Sequence, residues 1–452
     1  MKNIIVLKKI FTSAVPIGLL LIVLFFTACD EDDTMNGTIN ITGVYLQDVN
    51  STVQDRPVNF ARLGQLLRLQ GSGFTGLSKI YINGFETFFN TVYVSDSSLL
   101  VRISGDTPTV DADEVARNTI RLVRGGEETI YSFEIRDSAP TITNISNTLP
   151  NEGEEITVFG TGLLEVSKVI FPGNIEVTTG ITFDAVDGEF FTVTVPSGIP
   201  DSGGPLLAET ANGRVYSPSY FNVRNGLILN FDGTGALGEF GNTIRLDELQ
   251  SATVGEGNIS QGNYVYHGPA DGETFGAGAN RNSEVFTSGS ESWRSAYTSF
   301  IPVTTPVDSV AFQFEVYVPE PWEGTGFIQI LLINNFNGGE FSGGVYNYIP
   351  WIVEGEVEPF QTTGWTTVTV PLSEFYLFSD GEFTFEDVLQ YREGATFKNF
   401  GFFFNNSDIA LSNVIDSNSD EVFAASETSI AVYTDNWRIV SLEVPALSDF
   451  PE

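Results

Sequence analysis

The chain holds one cysteine, one histidine and two methionines in 452 residues, with only 21 basic residues against 58 acidic ones. Each shortage removes a class of chemistry. A lone cysteine closes no intrachain disulfide, and one Cys with one His builds no Cys/His zinc site. A Ser-His-Asp triad would have to use His267, which lies in the turn-like "YHGPADG" and reads as a surface histidine. The net charge of −37 argues against nucleic acid and against a basic membrane-binding face. Apolar stripes at helical spacing are scarce too.

What replaces them is sheet-forming material. Phe (37), Tyr (15) and Gly (45) are plentiful, and Val/Ile/Thr/Phe runs alternate with Gly, Asn, Asp and Pro. That is an all-β composition, and the length calls for two to four domains.

The first 28 residues read as an address. Lys2, Lys8 and Lys9 precede an apolar run from Ile10 to Phe26, and "FTAC" places the only cysteine, Cys29, directly after Thr27-Ala28. A basic, apolar, small-residue order makes a secretory signal, and a bacterial lipoprotein needs its thiol here for lipid attachment. An uncleaved membrane anchor is the alternative. Asp30 to Asp33 then form an acidic linker, 29–37, which resembles the surface-export signal of outer-membrane lipoproteins; an ordinary solvated linker reads the same way. The expected location is the outer membrane, facing out, lipid-anchored at Cys29.

An internal repeat follows. "LQGSGFTGLSKIYING" (69–84) aligns without a gap on "VFGTGLLEVSKVIFPG" (158–173), with Gly71/Gly160, Gly73/Gly162, Lys79/Lys168 and Gly84/Gly173 identical. Each copy reads as a strand, a Gly-x-Gly turn and a second strand with alternate residues inward. These residues resemble the TIG (IPT) immunoglobulin-like domain of bacterial surface proteins, giving two sandwiches at 38–137 and 138–225. From 226 to 452 the texture changes to long strands such as "VAFQFEVYV" (310–318) and "IAVYTDNWRIV" (430–440), with all five tryptophans. This segment is expected to be a larger jelly-roll β-sandwich.

"FEVYVPEPW" (314–322), "YIPW" (348–351), "GWTTVTVPLSEF" (364–375) and "YTDNWRIV" (433–440) resemble the glycan-binding domain of bacterial surface glycan-binding proteins, the xyloglucan type. The resemblance implies a non-catalytic lipoprotein that captures a polysaccharide, xyloglucan or another β-glucan, for a TonB-dependent outer-membrane transporter and its glycan-binding lipoprotein partner. The tandem repeats would then be a rigid spacer. Two other readings stay open: a glycoside hydrolase or lyase on a jelly-roll scaffold, and a structural or adhesive surface protein.

The binding residues expected are aromatic, since sugar rings pack their C–H face on flat rings. Pro350 in "YNYIPWI" makes an unbroken strand unfavourable, and a bulge there would bring Trp351 to the side of Tyr348. Trp322 follows two prolines in "PEPWEGTG". Trp351, Trp322 and Tyr348 are therefore the expected platform, with Trp293 beside Arg294 as a fourth member. Trp365 and Trp437 sit in strand patterns and are expected to pack. No cofactor is expected, apart from a structural calcium on Asp232 and Asp435, near the first and last strands of the large domain; capping turns or facing water is the equal alternative.

Overall fold

The computed structural model describes residues 37–241, 243–250, 262–333, 344–410 and 421–447. The signal segment, Cys29 and the acidic run after it lie outside the described residues.

The repeated Gly-x-Gly has a physical reason at each glycine. A Cβ on Gly71 would stand 1.9 Å from the Asn40 carbonyl oxygen, and one on Gly160 1.9 Å from that of Thr141. Only glycine lets the two strands approach so closely. The second glycines, Gly73 and Gly162, have φ of +74° and +67°, where any Cβ is strained. Strand Asn40–Gln47 pairs with Leu66–Ser72, and Thr141–Ile145 with Glu155–Thr161, each with a bulge at the same place, Ile41/Gly43 and Ile142/Asn144. The repeat is thus one construction used twice.

The chain forms two compact units that divide between Ile135 and Arg136. The first holds two four-stranded antiparallel sheets and a two-stranded one. Leu67, Leu69, Ile80, Ile82, Leu99 and Leu122 are fully buried in it. The second unit opens with a further pair of four-stranded sheets built on Thr141–Ile145 through Gly213–Tyr216. It continues into a sandwich of a five-stranded and a four-stranded sheet. One orders Leu227–Leu229, Val432–Ser441, Val310–Tyr317 and Thr366–Pro371, with Val265–His267 also paired to Val432–Ser441. The facing sheet orders Ala279–Phe286, Gly401–Asn406, Phe327–Leu331 and Val345–Tyr348. The architecture is all-β: two immunoglobulin-like sandwiches and a larger jelly-roll sandwich. Among the described residues the only α-helices are Trp293–Tyr297 and Phe385–Gly394.

Within the second unit the strand Val310–Tyr317 divides its side chains by parity. Val310, Phe312, Phe314 and Val316 enter the jelly-roll core, while Ala311 joins the core of the second immunoglobulin-like sandwich. On the neighbouring strand Trp437 and Ile439 point in, and Val440 again joins the other core. The two hydrophobic cores therefore share one sheet as their common wall.

Between them lies a buried polar cluster. The Arg438 guanidinium, wholly buried, donates to Thr148 Oγ1 (2.6 Å), the Asn436 carbonyl (2.8 Å) and Gln313 Oε1 (3.2 Å), and pairs with Glu315 at 3.4 Å. Thr148 N–H donates to Thr367 Oγ1 at 2.8 Å, and Thr366 Oγ1 to the Ser146 carbonyl at 2.7 Å. Burial pulls the Arg438 guanidinium below its ordinary value and pushes the Glu315 carboxyl up; each charge opposes the shift of the other. Removing one partner strands a charge where water cannot reach it. Arg438→Ala is expected to lower stability by about 3–5 kcal/mol, read as a fall in urea midpoint. A loss below about 1 kcal/mol, the worth of an exposed pair, would contradict this assignment.

Candidate glycan-binding face

The four expected platform residues are in the core. Trp351, Trp322, Trp293 and Tyr348 are 0%, 1%, 3% and 7% exposed, leaving no ring face for a sugar. Strand Val345–Tyr348 ends before Pro350, and the turn there does re-aim Trp351, but inward. Its indole N–H donates to the Gly326 carbonyl at 2.9 Å, and the Trp322 indole donates to that of Thr325 at 2.9 Å. The Gly-rich loop after "PEPW" is thus held by two buried indoles. Trp322 and Tyr348 do meet, ring centroids 6.3 Å apart, beside Phe404 and Phe314. Trp293 packs on Phe400 under the Arg392 guanidinium, 3.9 Å above its ring. Arg294 pairs with Glu386 and Glu393.

His267 is also not at the surface. It ends strand Val265–His267, fully buried, with Nδ1 3.1 Å from the Ser283 carbonyl and Nε2 3.0 Å from Thr434 Oγ1. Burial holds its pKa down at about 4. Its ring nitrogens meet a carbonyl and a hydroxyl, so the arrangement is structural rather than a relay.

The calcium expectation fares similarly. Strands Leu227–Leu229 and Val432–Ser441 do pair, but Asp232 stands on an exposed turn, accepting from Asn263 N–H (2.9 Å) and Nδ2 (2.7 Å). Asp435 is fully buried and accepts from the Asn436 N–H at 2.7 Å. Among the described residues no three His, Cys, Asp or Glu converge to hold a metal. These residues do not fit the six to eight oxygens calcium takes.

The aromatic surface lies elsewhere, on the outward face of the shared sheet. Following the outward positions of Val310–Tyr317 gives Ala311, Gln313, Glu315 and Tyr317. Along the last strand, register sets Tyr433 opposite Tyr317. The two rings lie 5.8 Å apart. Tyr266 adds a ring 5.3 Å from Tyr433, and Trp365, just before strand Thr366–Pro371, one 6.0 Å from Tyr317. Tyr264 closes the group, 5.4 Å from Trp365. Tyr266, Tyr317 and Tyr433 are half-buried, so part of each ring meets solvent; Trp365 and Tyr264 are buried beneath or beside them. Burial raises the phenols of Tyr264, Tyr266 and Tyr433 above their ordinary value, so they stay neutral at any ordinary pH.

Trp365 also lines a cleft of about 810 Å³ with Phe360, Gln361, Thr362, Thr363, Glu154 and Glu155. The volume falls in the range of ligand sites, and its polar lining suits hydroxyl groups. The sequence reading placed Trp365 in packing; it packs and also bounds the cleft. The missed tyrosines had one signal, outward parity at the same end of three strands, visible only once register is known.

Residues 221–441 match the family model of the surface glycan-binding protein B xyloglucan binding domain. The resemblance carried by "YIPW" and "YTDNWRIV" thus has independent support over this region. An IPT/TIG domain-containing protein of Bacteroides ovatus is 26% identical over 316 residues, covering 69% of this chain and 54% of that protein. The chain therefore spans about half the length of this curated relative. Surface glycan-binding protein PbSGBP-B from Prevotella bryantii has a similar fold, with a TM-score of 0.63 at 20% identity over 90% of this chain and 99% of that one. An SGBP-B from a complex xyloglucan utilization locus in Bacteroides uniformis superposes with a TM-score of 0.46 at 17% identity, over 90% and 100% of the two chains.

Two outcomes are expected from the buried rings. Trp351→Ala should cost about 3–5 kcal/mol of stability, the range for emptying a core aromatic site; unchanged melting would return Trp351 to the surface. His267, neutral when folded and titrating near 6.5 when unfolded, favours the native state above that value. Its contribution, roughly 3 kcal/mol, is lost as pH falls from about 6.5 toward 4. The melting temperature of His267→Gln should accordingly fall less than that of the parent over this window, and parallel curves would contradict it.

Proposed function

We propose that the protein captures a neutral polysaccharide at the cell surface, binding it on the outward aromatic face formed by Tyr317, Tyr433 and Tyr266 beside Trp365. The observation that carries this reading is the coincidence of that half-exposed aromatic group, which lies inside the region matching a xyloglucan-binding domain, with a cleft that Trp365 also lines. Partly exposed rings fixed by sheet register offer flat surfaces at little entropic cost on binding. The tyrosine hydroxyls and, in the cleft, the side chains of Gln361, Thr362 and Thr363 can exchange hydrogen bonds with sugar hydroxyls.

The net charge of −37 favours an uncharged glycan over a polyanion. Xyloglucan is the first candidate, with another β-glucan or a mannan next. Binding proceeds without turnover in this reading, and Glu154 in the cleft accepts the Asn151 N–H and Nδ2–H, both at 2.9 Å. Lipidation at Cys29 would tether the chain to the outer membrane, where the captured glycan passes to a TonB-dependent transporter.

Tyr317→Ala and Tyr433→Ala should each weaken polysaccharide binding roughly ten- to a hundredfold, about 1.5–3 kcal/mol for one lost aromatic face, with melting little changed. Affinity electrophoresis over xyloglucan, mixed-linkage β-glucan and galactomannan reads this directly. Parent-like retardation of both variants would overturn the aromatic face, and retardation by no neutral glycan would overturn capture itself.

A further inference from the structure

We infer that the second immunoglobulin-like sandwich is part of the glycan site rather than only a spacer that holds it out. This rests on the reading of the aromatic face above, and it adds a second surface from a different sandwich. One wall of the cleft comes from the jelly roll, Phe360 through Thr366; the opposite wall is Ser146, Gly153, Glu154, Glu155 and Thr157.

The strand Glu155–Thr161 explains which side chains face the cleft. Ile156 and Val158 point into the core of their own sandwich, so Glu155 and Thr157, of opposite parity, point outward. The two walls are tied together. Ser146 Oγ accepts the Thr157 N–H at 2.9 Å, and its carbonyl accepts both Thr366 Oγ1 at 2.7 Å and the Thr367 N–H at 2.8 Å. Behind these bonds stand Thr148 and Arg438, fully buried, and the core residues Ala311 and Val440. A wall held this way is preorganised, and a ligand spends no binding energy closing it.

Trp365 borders both the tyrosine group and the cleft. A linear glycan laid on Tyr433 and Tyr317 is therefore carried past Trp365 and along the immunoglobulin wall. The ligand class is a neutral chain long enough to reach both surfaces. Glu155 can accept from its hydroxyls, and the same carboxylate repels uronic acids.

The test is titration calorimetry of the full mature chain with xyloglucan, mixed-linkage β-glucan and galactomannan. Glu155 is exposed, at the start of its strand, so Glu155→Trp fills the cleft without entering a core. It should weaken binding at least roughly tenfold while melting stays as in the parent. Glu155→Ala, which removes only the acceptor, should cost about three- to tenfold, the range of one hydrogen bond. If Tyr433→Ala loses binding while both Glu155 variants bind as the parent does, the immunoglobulin wall plays no part and this inference falls alone. If Tyr433→Ala and the Glu155 variants all bind as the parent does, or the parent binds none of the three glycans, the aromatic-face reading falls and takes this inference with it.

Discussion

A single buried guanidinium fixes the relation on which the site depends. Arg438 has no route to water, and its donors are taken up by Thr148 from one sandwich and Gln313, Glu315 and Asn436 from the other. Such a cluster adds little net stability, because desolvating the charges offsets most of their attraction. Its effect is geometric. The polar groups can be satisfied together in only one alignment of the two sandwiches, and Ala311 and Val440 fill the adjoining core in that same alignment. Everything on the outward face of the sheet, aromatic group and cleft wall included, inherits its position from this junction.

That outward face changes character along its length. It is apolar where the second sandwich covers it, polar and charged through the middle, and aromatic where cover ends. Strand alternation makes this gradation cheap: every second residue of Val310–Tyr317 is committed to the jelly-roll core, leaving the others free to serve the junction or the ligand.

Much of the fold was legible in the residues, and the reasons are local. Gly71 and Gly160 mark strand approaches that no side chain permits; Gly73 and Gly162 mark positive φ. Period-two runs such as "VAFQF" declare their buried face directly. The site was harder to read. Pro350 correctly signals a break beside Trp351, but Trp351 turns inward to a partner far off in sequence, the Gly326 carbonyl. Rings next to prolines looked like display residues and are core residues anchored at their N–H ends. Tyr317 and Tyr433 sit inside ordinary strand patterns, and only pairing register brings them opposite each other. His267 misled for a related reason, since "YHGPADG" reads as a turn while its first residues complete a strand.

The most direct measurement is a crystal structure of the protein with a neutral oligosaccharide of the best-retained polysaccharide. Sugar rings resting on Tyr317 and Tyr433, continuing past Trp365 toward Glu155, are the predicted result. An oligosaccharide bound elsewhere, with that tyrosine face bare, would contradict it.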